Sequence, residues 1–121
     1  MAKHNELGIE GERIATEYLR QVGYKVIETN WRFNKKEIDI IAQKRGQVIM
    51  VEVKSRSTGK YGKPEEAVTP SKQKFLIEAA DAYMQALSYE ASIRFDVIAI
   101  VLNEKQAEIK HIEEAFRPVA E

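Results

Sequence analysis

Two acidic residues and one lysine, spaced as D-x12-E-x-K, are the side chains best suited to chemistry: Asp39, Glu52 and Lys54. Two carboxylates in a chain without cysteine and without a histidine cluster favour a hard cation, Mg²⁺ or Mn²⁺, over zinc. Such an ion polarises a phosphoryl oxygen and lowers the pKa of a bound water, and a nearby ammonium can orient that water. The pattern predicts metal-dependent phosphodiester chemistry. It also suits a Glu–Lys ladder on a solvated sheet face, and that alternative stays open.

Two neighbouring strands must bring these side chains together. Alternation predicts one strand over 37–43 and a second over 47–54. If a four-residue loop, 44–47, joins them, the numbers of every facing pair add up to 91. Asp39 then lies opposite Glu52, at a separation of about 5 Å that costs about 3 kcal/mol of charge repulsion. A divalent cation would remove that cost.

The same register assigns the neighbouring side chains to faces of the sheet. Glu37 and Asp39 are expected on one face, and Ile38 and Ile40 on the other, because side chains alternate along a strand. Glu37 would then lie opposite Lys54. A bulge in the loop would change this register.

A helix before these strands offers a third carboxylate. Apolar residues recur at helical spacing from Asn5, a plausible N-cap, until Gly23. Gly8 and Gly11 lie one turn apart inside it, which predicts a close approach to another backbone. Glu12 lies on that side and could reach the carboxylate pair as a further ligand of the metal or of water. A helix merely packed on its sheet, with Glu12 solvated, is the alternative.

The remaining elements complete an α/β fold. A first strand over 24–30 precedes the two described above, and Thr69 and Pro70 open a second helix. A buried strand over 93–102 and a weaker one over 107–112 follow. The predicted order is αβββαββ, with a mixed sheet flanked by helices. We expect one domain over 1–121, with its core at about 5–112.

Composition limits the classes of function. The 121 residues include no cysteine, which excludes disulfides and thiolate chemistry and suits a reducing compartment. No apolar run is long enough to span a membrane and no signal peptide is evident, so we expect a cytoplasmic protein. Nineteen basic and nineteen acidic residues cancel, but residues 1–64 carry a net charge of +5 and residues 65–121 one of −5. This asymmetry can give a neutral protein a basic face for nucleic acid.

Five motifs resemble the YraN-like bacterial family, which belongs by similarity to the restriction-endonuclease-like (PD-(D/E)XK) superfamily, alongside Holliday-junction resolvases and RecB-type nucleases. The motifs are NELGIEGE at 5–12, NWR at 30–32, EID at 37–39, VEVKSR at 51–56 and RFDVI at 94–98. The resemblance covers about residues 5–115 and implies a nuclease with an αβββαβ core, here followed by an extra C-terminal strand. It implies that Asp39 and Glu52 bind the metal and that Lys54 is the catalytic lysine. Glu12 takes the place of the acidic residue in the superfamily's first helix. Lys36 replaces the family's usual glycine, and Ile38 the superfamily's usual proline.

Basic residues near this site are candidates for contacts with a nucleic-acid backbone. Lysines or arginines, glycines and a tyrosine form a loop that could clamp a phosphodiester, the tyrosine stacking on an unpaired base. Two lysines in the first turn of the second helix lie where the helix dipole attracts anions. Solvated surface charges are the alternative interpretation of both groups. The residues are Arg56, Lys60, Tyr61 and Lys63 in the loop, and Lys72 and Lys74 in the helix.

Other residues whose side chains could take part in chemistry are expected to be structural, or are given no role. Trp31 is expected in the core or in a dimer contact rather than as a base-stacking platform. Asp96 is expected to pair with Arg94 or a helix end rather than to bind a metal. His4 and His111 show no partner pattern, and no role is assigned to them.

The sequence thus predicts a Mg²⁺- or Mn²⁺-dependent nuclease that hydrolyses DNA, plausibly branched or structured DNA. A non-catalytic nucleic-acid-binding or adaptor module on the same fold is the alternative, and a structural protein without a nucleic-acid partner is a third class. A homodimer stays open, because an enzyme that cuts two symmetric strands would need one.

Overall fold

Two helices flank one five-stranded sheet in the computed structural model, which describes residues 3–57, 68–103 and 105–118. The predicted order αβββαββ and the mixed α/β fold are confirmed, including the extra C-terminal strand. The first helix begins at Lys3, so Asn5, the predicted cap, lies inside it. The elements are α1 (Lys3–Gln21), β1 (Lys25–Phe33), β2 (Lys36–Lys44), β3 (Gln47–Arg56), α2 (Pro70–Gln85), β4 (Ser92–Leu102) and β5 (Ala107–Phe116).

The strands follow one another in the sheet in their sequence order, β1-β2-β3-β4-β5. Strands β3 and β4 are parallel, and α2 lies between them in the chain, as the predicted crossover requires. The other three pairings are antiparallel. Within the described residues, no helix is both long and apolar enough to cross a membrane.

The core has two layers because alternate strand residues point to opposite faces of the sheet. On one face, the stripe of α2 packs against the sheet, and on the other α1 does the same. The α2 layer includes Ile38, Ile41, Val48, Met50, Leu76, Ala79, Ala80, Tyr83, Phe95 and Val97. The α1 layer includes Ala15, Leu19, Ile40, Ala42, Ile49, Val51, Ile98 and Ile100. Trp31 packs against the α2 layer, edge-on to Tyr83, as expected of a core residue.

Helix α2 begins as its sequence predicts. The side chain of Thr69 accepts a hydrogen bond from the backbone N–H of Lys72 at 3.2 Å, and Pro70 occupies the first turn. A cap satisfies a backbone donor that the helix itself leaves unpaired, and proline lacks such a donor. Thr69 and Pro70 therefore fix the start of α2 and, with it, the position of Lys72 in the first turn.

The hairpin between β2 and β3 has the predicted register. Gln43 pairs with Val48, and Lys44 pairs with Gln47, so the connecting turn has two residues rather than four. These two residues, at positions 45 and 46, both have positive φ, 51° and 79°. This is the geometry of the tight turns that match the twist of a hairpin.

The hairpin ladder extends from the turn as far as Ile40 and Val51, and it does not include the facing pairs predicted at Asp39 and Glu37. Beyond that point the Asp39 carboxylate accepts a hydrogen bond from a backbone N–H group of β3. Glu37 forms an ion pair with Arg32 at 3.2 Å instead of lying opposite a lysine.

The side chains of strand β2 stop alternating regularly at Asp39. The expected assignment of Ile38 and Ile40 to one face of the sheet is therefore wrong. Ile38 belongs to the α2 layer, whereas Ile40 belongs to the α1 layer. On the neighbouring strand, Asn30 has a left-handed backbone (φ 52°) between the paired residues Thr29 and Trp31. Strict alternation fails because both strands are locally irregular at this level of the sheet.

Candidate active site

Glu52 is the centre of a buried acidic site on the α2 face of the sheet. Its side chain is only 4% exposed, and Oε2 lies 3.5 Å from Lys54 Nζ and 3.2 Å from Lys72 Nζ. Strand periodicity brings Lys54 to the same face as Glu52, as predicted. The other carboxylate oxygen, Oε1, is buried and has no hydrogen-bond partner in the described part of the chain. An unsatisfied charged oxygen is costly in the interior, so this atom is available to a cation.

Asp39 provides the second carboxylate. Its Oδ2 accepts a hydrogen bond of 2.8 Å from the backbone N–H of Val53, one residue beyond Glu52. Burial, and then the charge of Glu52, raise the pKa of Asp39 to about 7, although the Val53 hydrogen bond and Lys72 oppose this effect. The carboxylates therefore interact strongly, and a bound cation would relieve their repulsion.

Glu12 approaches the same site from α1. Gly11, the preceding residue, lies so close to Ser55 of β3 that an added Cβ would be 2.9 Å from the Ser55 Cβ. The predicted close approach thus occurs at Gly11, whereas Gly8 has nothing within 4 Å of such a Cβ. Helix and strand can meet here because Gly11 has no side chain.

A hydrogen bond from Asn30 holds the Glu12 side chain. The donor is Asn30 Nδ2, and the acceptor, at 2.8 Å, is Glu12 Oε1. Partial burial raises the pKa of Glu12, the Asn30 hydrogen bond lowers it, and the charges of Glu37 and Glu52 raise it further. Sequence reasoning missed Asn30. The one indication in the sequence was that Asn30 is the first residue of the NWR motif.

The donors present suit a hard divalent ion. The available groups are carboxylate oxygens, and one of them, Glu52 Oε1, has no hydrogen-bond partner among the residues that the structure describes. However, no group of three or more His, Asp or Glu side chains within residues 3–57, 68–103 and 105–118 is arranged to hold a metal ion. Asp39 and Glu52 thus form a pair to which Glu12 is adjacent, and water or substrate oxygens would have to complete the coordination shell.

The predicted nucleic-acid contacts have different surroundings. Lys72 turns towards Glu52 rather than outwards, which sequence reasoning missed because that contact joins α2 to β3. Lys74 is exposed in the first turn of α2, and Arg56 is half-buried at the end of β3. The other three predicted contacts, Lys60, Tyr61 and Lys63, lie outside the described residues.

A second polar cluster lies on the α1 side of the sheet. Asp96, fully buried, accepts hydrogen bonds from Nε and Nη2 of Arg94, both at 2.8 Å, as expected. It also contacts His111 Nε2 at 2.7 Å, and the other ring nitrogen of His111 contacts the Tyr18 hydroxyl at 2.9 Å. Burial alone would raise the pKa of Asp96, but these hydrogen bonds, with one from the backbone N–H of Glu114, hold it below its usual value. The cluster joins β4, β5 and α1, and gives His111 a structural role that the sequence did not predict.

Comparison with known proteins identifies the family. A model described as "Uncharacterised protein family UPF0102" matches residues 11–100. UPF0102 proteins of Flavobacterium psychrophilum and Phocaeicola vulgatus are each 45% identical to this chain, over 116 and 118 residues, and cover 96% and 98% of it and 98% of their own lengths. A UPF0102 protein of Christiangramia forsetii is 43% identical over 116 residues, which are 96% of this chain and 98% of that protein. The chain therefore belongs to the uncharacterised protein family UPF0102.

Proposed function

We propose that this chain is a metal-dependent nuclease of the restriction-endonuclease-like superfamily that hydrolyses phosphodiester bonds in DNA, with branched or structured DNA as a candidate substrate. One observation carries the proposal: the charge of the buried Glu52 acts on the half-buried Asp39, Glu52 has an oxygen without a hydrogen-bond partner among the described residues, and Lys54 lies two residues further along the same strand. A protein fold gains no stability from two carboxylates held together in its interior, so a ligand that neutralises them is the simplest reason for the arrangement. The chain has no cysteine, and a cytoplasmic site of action is part of the proposal.

Asp39 and Glu52 would hold Mg²⁺ or Mn²⁺, which when bound polarises a phosphoryl oxygen and lowers the pKa of a coordinated water. Asp39 must lose its proton before it can bind a cation, and its raised pKa makes this step dependent on pH near neutrality. Below that range the site would lose a ligand. We therefore expect activity to increase as the pH rises through about 7.

Lysine ammonium groups would complete the chemistry. Lys54, whose side chain is 32% exposed, lies at the edge of the pair, where it can orient the attacking water and stabilise charge on the phosphorus-bound oxygens. Lys72 is at the start of α2, beside Glu52, and can contact a phosphate that arrives at that helix end. Asn30 fixes one oxygen of Glu12, and Glu12 would assist by binding a water or the ion through this oriented carboxylate.

A single-turnover cleavage assay tests the proposal. The substrates are a four-way junction, a flap and a linear duplex, each incubated with Mg²⁺ or Mn²⁺ and then with a chelator. We expect cleavage of at least one substrate, loss of cleavage with chelator, and loss with Glu52→Gln. Glu78→Gln, the same substitution on an exposed residue of α2, is the matched control and should cleave normally.

Two outcomes would contradict the enzymatic proposal. The first is no cleavage of any substrate with either ion. The second is equal cleavage by Glu52→Gln and the wild type. Circular dichroism of each variant distinguishes loss of chemistry from loss of fold.

A binding module without turnover is the second candidate, and one observation favours it. Both Lys54 and Lys72 already lie within ion-pair distance of Glu52, so this carboxylate has counterions of its own. A binding module predicts DNA affinity that falls steeply with salt, needs no divalent ion and is unchanged by Asp39→Ala. Affinity that requires Mg²⁺ and falls with Asp39→Ala would support the nuclease instead.

A further inference from the structure

Strand β5 leaves a regular edge of the sheet open. Among the described residues it pairs with β4 on one side only, and it is the last strand of the sheet. Its pairing with β4 runs without a break from Ala107 to Ile112, and the bulge comes only after that, at Glu114, where φ is 52°. An open, regular strand edge presents unpaired N–H and C=O groups that can pair with another chain.

The opposite edge of the sheet is not regular. Strand β1 has a register shift between Val26 and Glu28, and its backbone is left-handed at Asn30. Bulges and kinks of this kind hinder pairing with a further strand. Of the two sheet edges that the described residues form, the β5 edge is therefore the one suited to strand addition.

The side chains of β5 indicate what would pair with it. Ile109 is 39% exposed on this strand, and Glu108 and Lys110, on either side of it, are exposed too. Neither charge forms an ion pair with any residue in the described part of the chain. The strand thus carries one apolar residue between two opposite charges that have no partner.

We propose that the β5 edge binds the β5 edge of a second copy of this chain, antiparallel and centred on Ile109. The two-fold axis of such a strand pair must pass between the two copies of one residue. Only then do the outward-pointing N–H and C=O groups of the two strands meet. Centring on Ile109 pairs the two isoleucines and places Glu108 opposite Lys110 twice. Centring on Glu108 or on Lys110 would instead place like charges opposite each other, which destabilises a sheet.

The result is a continuous ten-stranded sheet. Rotation about an axis perpendicular to the sheet does not exchange its faces, so both copies present Glu52 on the same face. Five strand-to-strand steps separate the two β3 strands, which is roughly 24 Å along the sheet. This inference depends on β5 alone and holds whether or not the site on β3 is catalytic.

Charge-swap variants test the interface, with sedimentation velocity at several protein concentrations as the readout. The wild type should dimerise as concentration rises. Glu108→Lys and Lys110→Glu each turn two attractive pairs into repulsive ones, so each should raise the dimer dissociation constant by about thirtyfold. The double variant, Glu108→Lys with Lys110→Glu, should restore the wild-type value.

Mixing the two single variants gives the sharpest result. In a mixed dimer, every lysine of the Glu108→Lys chain faces a glutamate of the Lys110→Glu chain, so the mixture should associate with about the wild-type affinity, about thirtyfold more tightly than either chain alone. The residues are exposed, and circular dichroism should show unchanged folds. A wild type that stays monomeric, a dimer that tolerates both single variants, or a mixture that does not associate would each overturn the proposal.

Discussion

Replacing Asp39 by asparagine should stabilise the protein at alkaline pH. The substitution keeps the shape of the side chain and an oxygen that can accept the hydrogen bond from the Val53 N–H. It removes the charge that lies beside Glu52 in the interior. If a substitution in a candidate active site increases stability, then charge repulsion between the wild-type side chains lowers the stability of the fold there.

The magnitude follows from the pKa of Asp39, raised from 3.8 to about 7. One pKa unit corresponds to about 1.4 kcal/mol, so the ionised carboxylate costs the folded state about 4 kcal/mol. The folded state keeps its proton up to about pH 7, whereas the unfolded state loses it near 3.8. Stability from this group is therefore complete below 3.8 and declines as the pH rises to about 7. D39N has no such decline.

Urea unfolding of both proteins, with a chelator present, measures the difference. We expect D39N to gain about 4 kcal/mol on the wild type between about pH 4 and about pH 8. Asp81→Asn, the same change on an exposed residue of α2, should show no comparable gain. Added Mg²⁺ should stabilise the wild type at about pH 8 and leave D39N unchanged, because only the wild type has both carboxylates. A gain that is the same at both pH values, or no gain at about pH 8, would refute the reasoning.

Two further substitutions test the packing around the site and the second polar cluster. Gly11→Ala should destabilise by about 1–3 kcal/mol in thermal unfolding, because its Cβ would lie 2.9 Å from the Ser55 Cβ. Gly8→Ala, with open space, should instead gain up to about 1 kcal/mol, and equal effects would contradict the close approach. Asp96→Asn should cost about 3–5 kcal/mol in urea unfolding, since the guanidinium of Arg94, 15% exposed, loses its buried charged partner and keeps the exposed Glu113 carboxylate at 3.8 Å. A loss below about 1 kcal/mol would contradict a buried ion pair there.

Local patterns predicted the elements and the hairpin that carry the site. Alternation in 47–54 put Glu52 and Lys54 on one face, and the ion pair between them bears this out. The register of the β2–β3 hairpin was also correct, because a tight turn fixes which residues pair. Within β2, alternation failed at Ile38, where the strand departs from regular geometry.

Contacts between distant segments could not be predicted in the same way. Tyr18 and His111 are separated by 93 positions, and no local pattern indicates that they meet. Lys72 was predicted to contact a phosphate, and nothing in the sequence indicated that the path of α2 over the sheet also brings its ammonium within 3.2 Å of Glu52. A side chain's nearest charge depends on how elements pack, and packing is a property of the whole chain.

The sequence by itself determined the order of helices and strands, the family, and the three residue types on which the proposed chemistry of the candidate site depends. These follow from periodicity, turn residues and motifs, which act over a few neighbouring positions. The tertiary structure decided how deeply Glu52 is buried, which of its oxygens lacks a partner and which cations approach it. Burial and electrostatic coupling arise only when β2, β3 and α2 are brought together, so the raised pKa of Asp39 is a product of the fold.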